Sequence, residues 1–199
     1  IYDAKSLKKL HRIPTGKEPN HLAFTEDGSL LFVTNEGSQT VSVIDTKQWK
    51  LTKQITVGRR PVDIHLRPDK KELFVALYGD GKIAVIDVAT LEVKENFTTG
   101  AGTHGLALAP DGKVLFVSNR NADTVSAVNP RTPAILRQIT VPGGPDMMGV
   151  TPDGRELWVT SRYRNYVHVM DPREYKVLAR IQTDLAPHGV TFSWAVGHH

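Results

Sequence analysis

Five positions spaced 42 residues apart carry Asn20, Val62, His104, Asp146 and His188, and His21 and Asp63 directly follow two of them. Two imidazoles and a carboxylate brought to one point would suit zinc, iron or copper, or the axial coordination of a haem-like cofactor. On that chemistry His104, Asp146 and His188 are the candidate metal ligands. Set instead around a wet channel, the same residues would serve as polar lining that caps loop amides. A second set is basic and aromatic: Arg120, Arg162, Tyr163 and Arg164, with Tyr78 nearby and Arg59 and Arg60 in a further loop. Guanidinium groups beside aromatic rings suit an anion or a planar acidic ligand. The same loops carry Lys17, Glu18, Glu36, Asp80 and Asp123, so surface charge pairing is the competing reading. His65 falls inside an apolar run and reads as a structural histidine, while His11 and His168 have no chemical company. Which of these residues meet depends on the elements that carry them.

Those elements repeat. A glycine or its replacement recurs at Gly16, Gly58, Gly100, Pro142 and Asp184, in phase and without insertion. Each unit holds four apolar runs. The first is HLAF (21–24), DIHL (63–66), GLAL (105–108) or MMGV (147–150), with GVTF (189–192) opening a fifth. The second is LLFVTN (30–35), ELFVAL (72–77), VLFVSN (114–119) or ELWVTS (156–161). The third is TVSVID (40–45), KIAVID (82–87), TVSAVN (124–129) or YVHVMD (166–171). The fourth is LTKQITV (51–57), VKENFTT (93–99), ILRQITV (135–141) or VLARIQT (177–183). The runs are short, rich in β-branched and aromatic residues, and bounded by Gly, Pro, Asp or Asn, which predicts strands. No window sustains a helical stripe. Turns such as PDG at 110–112 and 152–154 supply a preset φ, a local carboxylate acceptor and a residue tolerant of positive φ.

Four short antiparallel strands per repeat describe the blade of a β-propeller, so the fold class is all-β. The columns Leu31, Leu73, Leu115, Leu157 and Val33, Val75, Val117, Val159, with Phe32, Phe74, Phe116 and Trp158 between them, are apolar on both faces. Each second strand is therefore expected to lie between neighbouring blades. The small residues Thr34, Ala76, Ser118 and Thr160 that follow read as core.

LFVTN at 31–35, LFVSN at 115–119 and TVSVID at 40–45, with their PDG turns, resemble the YVTN family of β-propeller repeats. The likeness covers residues 16–183 in full and both ends in part. It implies that first strands line the axis and that the fourth-to-first and second-to-third loops share a top face. All the candidates fall there: Asn20, His21, Arg59, Arg60, Asp63, His104, Arg120, Asp146, Arg162, Tyr163, Arg164 and His188. The bottom face receives the PDG turns and the loops at 46–50, 88–92, 130–134 and 172–176, which read as solvated turns.

One domain is expected over 1–199: full blades at 16–57, 58–99, 100–141 and 142–183, an outer strand of a partial blade at 1–15, and an inner strand of another at 184–199. SWAVGHH stands where a turn and second strand would follow, and His198 and His199 resemble the stub of a purification tag. Either a five-bladed ring closes with a defective blade, or the chain is a segment of a longer, seven-bladed ring. A gapped ring exposes free strand edges, which favours the second reading, or self-association with another chain.

Composition bounds the function. The chain has no cysteine, which removes thiol chemistry and disulfides. A net charge of +4 is spread along the chain, so no nucleic-acid partner is expected. No run approaches the roughly 18 apolar residues of a membrane span. No G-x-S-x-G, H-E-x-x-H or phosphate loop appears. The resemblance implies a non-enzymatic binding or scaffolding propeller, bacterial and periplasmic or extracellular, that takes a protein, an envelope component or a small ligand on its top face and needs no cofactor. Two alternatives stand beside it. One is a metal-dependent hydrolase similar to the propeller lactonases, built on Asn20, Asp63, His104 and Asp146. The other is a haem-binding propeller similar to the d-type haem domain of nitrite reductases and their maturation proteins, with His104 or His188 on iron and arginines on the propionates.

Overall fold

Period-two apolar patterning and tight turns produce four antiparallel four-stranded sheets in the computed structural model, which describes residues 1–67 and 69–192. The first blade is β1 (Pro19–Phe24), β2 (Leu30–Asn35), β3 (Thr40–Asp45) and β4 (Lys50–Thr56). The second is β5 (Pro61–Leu66), β6 (Glu72–Leu77), β7 (Lys82–Asp87) and β8 (Glu92–Thr98). The third is β9 (Thr103–Leu108), β10 (Leu115–Asn119), β11 (Thr124–Asn129) and β12 (Ala134–Thr140). The fourth is β13 (Pro145–Val150), β14 (Leu157–Ser161), β15 (Tyr166–Asp171) and β16 (Lys176–Gln182). Within each blade the strands pair in chain order, and the first strands adjoin from blade to blade. This is the all-β propeller arrangement that the repeat predicts. Among the described residues no helix is long and apolar enough to cross a membrane.

The core lies between blades. Alternation along β2 sends Phe32 toward the second blade, where it joins Ile64, Leu73 and Val75, and sends Leu31 and Val33 to the opposite face. The next layer sets Phe74 and Val85 against Leu106 and Val117. The third sets Phe116 and Val125 against Met148 and Val159. Strand β6, flanked by blades on both sides, is buried along its whole length, whereas β16 is exposed throughout.

The first strands start two residues before the apolar runs, at Pro19, Pro61, Thr103 and Pro145, because a register shift is inserted in each. Residues 1–15 hold one isolated bridge, Tyr2 to Lys9, and lie over the first blade, with Ile13 against Leu31 and Val33 and His11 stacked on Trp49. At the other end, Phe192 meets Trp158 edge-on at 5.8 Å without forming a strand. All of SWAVGHH, His198 and His199 included, lies outside the described residues, as does Pro68.

Burial between blades sets an expected mutational contrast. Phe116→Ala should lower unfolding free energy by about 3–5 kcal/mol in urea denaturation, the range for an emptied aromatic core site. Phe24→Ala, at a side chain 46% exposed, should cost well under half of that.

Candidate functional site

The register shifts place the chemistry. Between Pro19 and Leu22, Pro61 and Ile64, Thr103 and Leu106, and Pro145 and Met148, the first strand leaves its ladder for two residues. Asn20, Val62, His104 and Asp146 sit in those bulges at the mouth of the axis, where backbone is re-aimed and its polar groups lose ladder partners. A hydroxyl at the end of the second strand replaces those partners. Ser118 Oγ accepts from the Gly105 amide at 2.7 Å and donates to the Asp146 carbonyl of the next blade at 2.6 Å. Thr34 does the same between the His21 amide (3.0 Å) and the Val62 carbonyl (2.6 Å). Thr160 links the Met147 amide (3.1 Å) to the His188 carbonyl (2.8 Å). The sequence reading assigned this Thr/Ser column to the core; it also pins the site. Gly105 is required here, since a Cβ would stand 2.4 Å from the Asp146 carbonyl oxygen.

Asp146 is fully buried, and three side chains from two blades converge on it. Arg120, on the loop after β10, donates from Nη2 to Oδ1, and Arg162, on the loop after β14, donates from Nη1 to Oδ2 at 3.3 Å. His104 Nε2 lies 2.6 Å from Arg120 Nη2 and accepts from it, which places the ring proton on Nδ1. That Nδ1 is 2.9 Å from Asp146 Oδ1 but off the direction of a hydrogen bond, and Arg120 Nε is also buried without an acceptor among the described residues. Burial alone would raise the Asp146 carboxyl. The adjacent His104 ring and the Arg120 guanidinium outweigh it and hold the group at about 2. Two guanidinium groups on one carboxylate leave a positive charge uncompensated. Arg162, with its side chain 36% exposed, carries that charge to the surface.

The other candidates distribute around this centre. His188, on the segment after β16, sets its ring edge-on to His104 at 6.3 Å, and partial burial lowers its pKa. His21 and Asp63 form a separate pair, Nδ1 to Oδ1 at 3.2 Å. Asp63 also accepts from the Leu106 amide at 2.8 Å; these contacts and the nearby His65 outweigh burial and keep its carboxyl low. The contact with Asp63 in turn raises His21. Arg60 is held by Glu36, which also accepts from Asn20 at 3.0 Å, and lies over the Tyr78 ring at 4.4 Å. Arg120 approaches that ring at 5.6 Å, so Tyr78 joins the two clusters. Arg59 is spent on Asp80. Tyr163 and Arg164 lie outward over Gly143 and Gly144; at Gly144, with φ +67, a Cβ would stand 2.4 Å from the Tyr163 ring. Below the mouth, the first strands enclose a groove of ≈ 420 Å³ lined by His21, Asp63, His65, Met147 and Phe192.

Asp146 and His104, as they are engaged here, do not fit a divalent metal or haem iron. Both oxygens of Asp146 already accept from guanidinium groups, whose charge opposes a cation, and His104 Nε2 accepts from Arg120. Among the described residues no three His, Asp or Glu side chains converge in a metal-binding geometry. What the arrangement can do is hold an anion: a preorganised, half-exposed guanidinium beside a second one, fixed by a carboxylate that cannot turn away.

A carboxyl held low in the folded state stabilises the fold above its unfolded pKa, and that stabilisation is lost as pH falls toward the folded value. Stability should therefore drop by about 2 kcal/mol between about pH 4 and pH 2 through Asp146. Denaturant titrations of Asp146→Asn should show that part of the acid limb flattened, with lower stability at neutral pH.

Solved structures share the fold. Hydrazine synthase of Kuenenia stuttgartiensis is 23% identical with a TM-score of 0.76, over 90% of this chain and 52% of that one. A provisionally assigned 6-phosphogluconolactonase of Bacteroides fragilis is 20% identical with a TM-score of 0.73, over 84% and 56%. A protein of unknown function from Desulfotomaculum acetoxidans is 17% identical with a TM-score of 0.79, over 96% and 66%. The chain thus spans between half and two thirds of the length of these structures. No curated protein matches it. The family model for YNCE-like β-propellers matches residues 1–199, and with the repeated blades and pinned first strands in view, the chain belongs to that family.

Proposed function

We propose that this chain forms the ligand-binding part of a non-catalytic propeller whose top mouth recognises an anionic group, a carboxylate or phosphate ester on a protein, an envelope component or a small molecule. One observation carries the reading: the buried Asp146 fixes two arginines side by side and leaves their combined charge in excess, with Arg162 open to solvent. A charge-assisted pair of donors held in place before binding loses little entropy when an anion arrives. Tyr163 and Arg164 stand at the rim, where they can extend contact to the rest of the ligand.

The hydrolase reading requires Asn20, Asp63, His104 and Asp146, which are already engaged, and a haem iron on His104 would have to displace Arg120 from Nε2. The likeness to a provisionally assigned lactonase and to hydrazine synthase is one of fold, and a propeller fold hosts many unrelated functions.

Thermal shift measurements with a panel of phosphate esters and di- and tricarboxylates test the proposal. At least one such anion should raise Tm of the unmodified chain in a concentration-dependent way. Arg162→Gln, at a part-exposed position, should leave Tm without ligand within about 2 °C and weaken binding at least tenfold, as for a lost charge-assisted contact. An unchanged shift in Arg162→Gln, or no shift with any anion, refutes it.

A further inference from the structure

The four turns between first and second strands on the bottom face share one backbone pattern. The amides of Thr25, Arg67, Ala109 and Thr151 donate to the carbonyls of Leu30, Glu72, Val114 and Glu156 at 2.8–3.0 Å. Their side chains part company. Thr25 and Thr151 fold back onto Asp27 and Asp153, each at 2.7 Å. Arg67 runs instead along the boundary between the second and third blades. Its guanidinium pairs with Glu72, stands 3.5 Å from Asp69, and donates to the Arg131 carbonyl of the third blade at 3.2 Å. That boundary slot is plugged by an internal arginine, 13% exposed.

One blade later the plug is missing. Ala109 replaces Arg67 and Val114 replaces Glu72, while Asp111 stands for Asp69 and Arg173 for Arg131. A cavity of ≈ 160 Å³ remains between the third and fourth blades, walled by Ala109, Pro110, Val114 and Phe116 and rimmed by Asp111 and Asp153, with Arg173 at its lip. A cavity of about 150 Å³ is enough for a benzene ring, so this one admits a single long side chain. Each rim carboxylate spends Oδ1 within its own turn, Asp111 on the Lys113 amide and Asp153 on the Thr151 hydroxyl and the Arg155 amide. The Oδ2 atoms meet surface pairs, Lys113 at 3.6 Å and Arg155 at 3.5 Å, which are weak and easily shared.

We propose that this cavity docks an arginine side chain of a peptide or protein partner, in the place Arg67 takes one blade earlier. The aliphatic stem lies on Phe116 and Pro110, and the guanidinium meets the Asp111 and Asp153 carboxylates and the Arg173 carbonyl. A planar fork suits two carboxylates and a carbonyl better than an ammonium does. The site is on the opposite face from Asp146 and stands or falls independently of the anion reading.

The test is a ¹⁵N–¹H NMR titration with N-acetyl-arginine amide, run beside its lysine and leucine counterparts. The arginine probe should give saturable shifts confined to the amides of Asp111, Gly112, Gly154 and Arg173. Asp111→Asn, at a side chain 57% exposed and therefore safe for folding, should weaken it about tenfold. The double variant Ala109→Arg with Val114→Glu, which restores the internal pair of the second blade, should abolish the shifts and raise Tm. Equal binding of the lysine or leucine probe, absence of saturable shifts, or an unchanged affinity in Asp111→Asn overturns the proposal.

Discussion

Each first strand of this propeller breaks its ladder at the axis, and the fold tolerates the break because one hydroxyl satisfies two backbone groups at once. Thr34, Ser118 and Thr160 accept from a bulged amide in their own blade and donate to a carbonyl in the next. A buried unpaired amide or carbonyl costs about 1–3 kcal/mol, so leaving these groups bare at every blade would be prohibitive for a marginally stable domain. The pin therefore has two consequences. It ties blade to blade at the narrowest point of the structure, and it frees the residue in the bulge to turn its side chain to the mouth. The second blade, with Ala76, lacks the hydroxyl; there the Asp63 carboxylate makes a different link to the third blade by accepting from the Ile64 and Leu106 amides.

The top face follows from that backbone. Once Asp146 is lifted into the mouth and buried, its charge needs partners, since an isolated buried carboxylate would be far too costly. Arg120 and Arg162 occupy equivalent places on consecutive blades, so the repeat itself delivers two guanidinium groups to the two oxygens. A single carboxylate cannot neutralise both. The same geometry that takes both Asp146 oxygens out of metal chemistry leaves an excess guanidinium charge beside it, and Tyr78 extends the arrangement to Arg60 through its ring.

Departures from the repeat hold the individuality of the molecule. Blades share their apolar columns because every interblade layer must fill a similar space. They differ where a side chain ends at a loop or a boundary: Asp146 against Val62, Ala109 against Arg67, and the buried pair Ser161–His168 where the first and third blades use Asn35–Ser42 and Asn119–Ser126. His168, without company in the sequence, is a core histidine bonded to Ser161 at 3.1 Å, and burial lowers its pKa.

The sequence by itself determined the strands and their order within a blade. These depend on alternation and turn chemistry among residues a few positions apart, and such information is local. It also marked His104, Asp146, Arg120 and Arg162 as residues worth attention. It left open whether imidazole and carboxylate would meet a metal or a guanidinium, because that depends on which side chains from neighbouring blades reach the same atom. Only the tertiary structure decided that Asp146 is held by arginines from the third and fourth blades, that His21 pairs with Asp63, and that the small Thr/Ser column serves the site rather than the core alone. The reason is physical: the ladder is specified by nearest neighbours, whereas the charge balance of a buried group is specified by everything that packs around it.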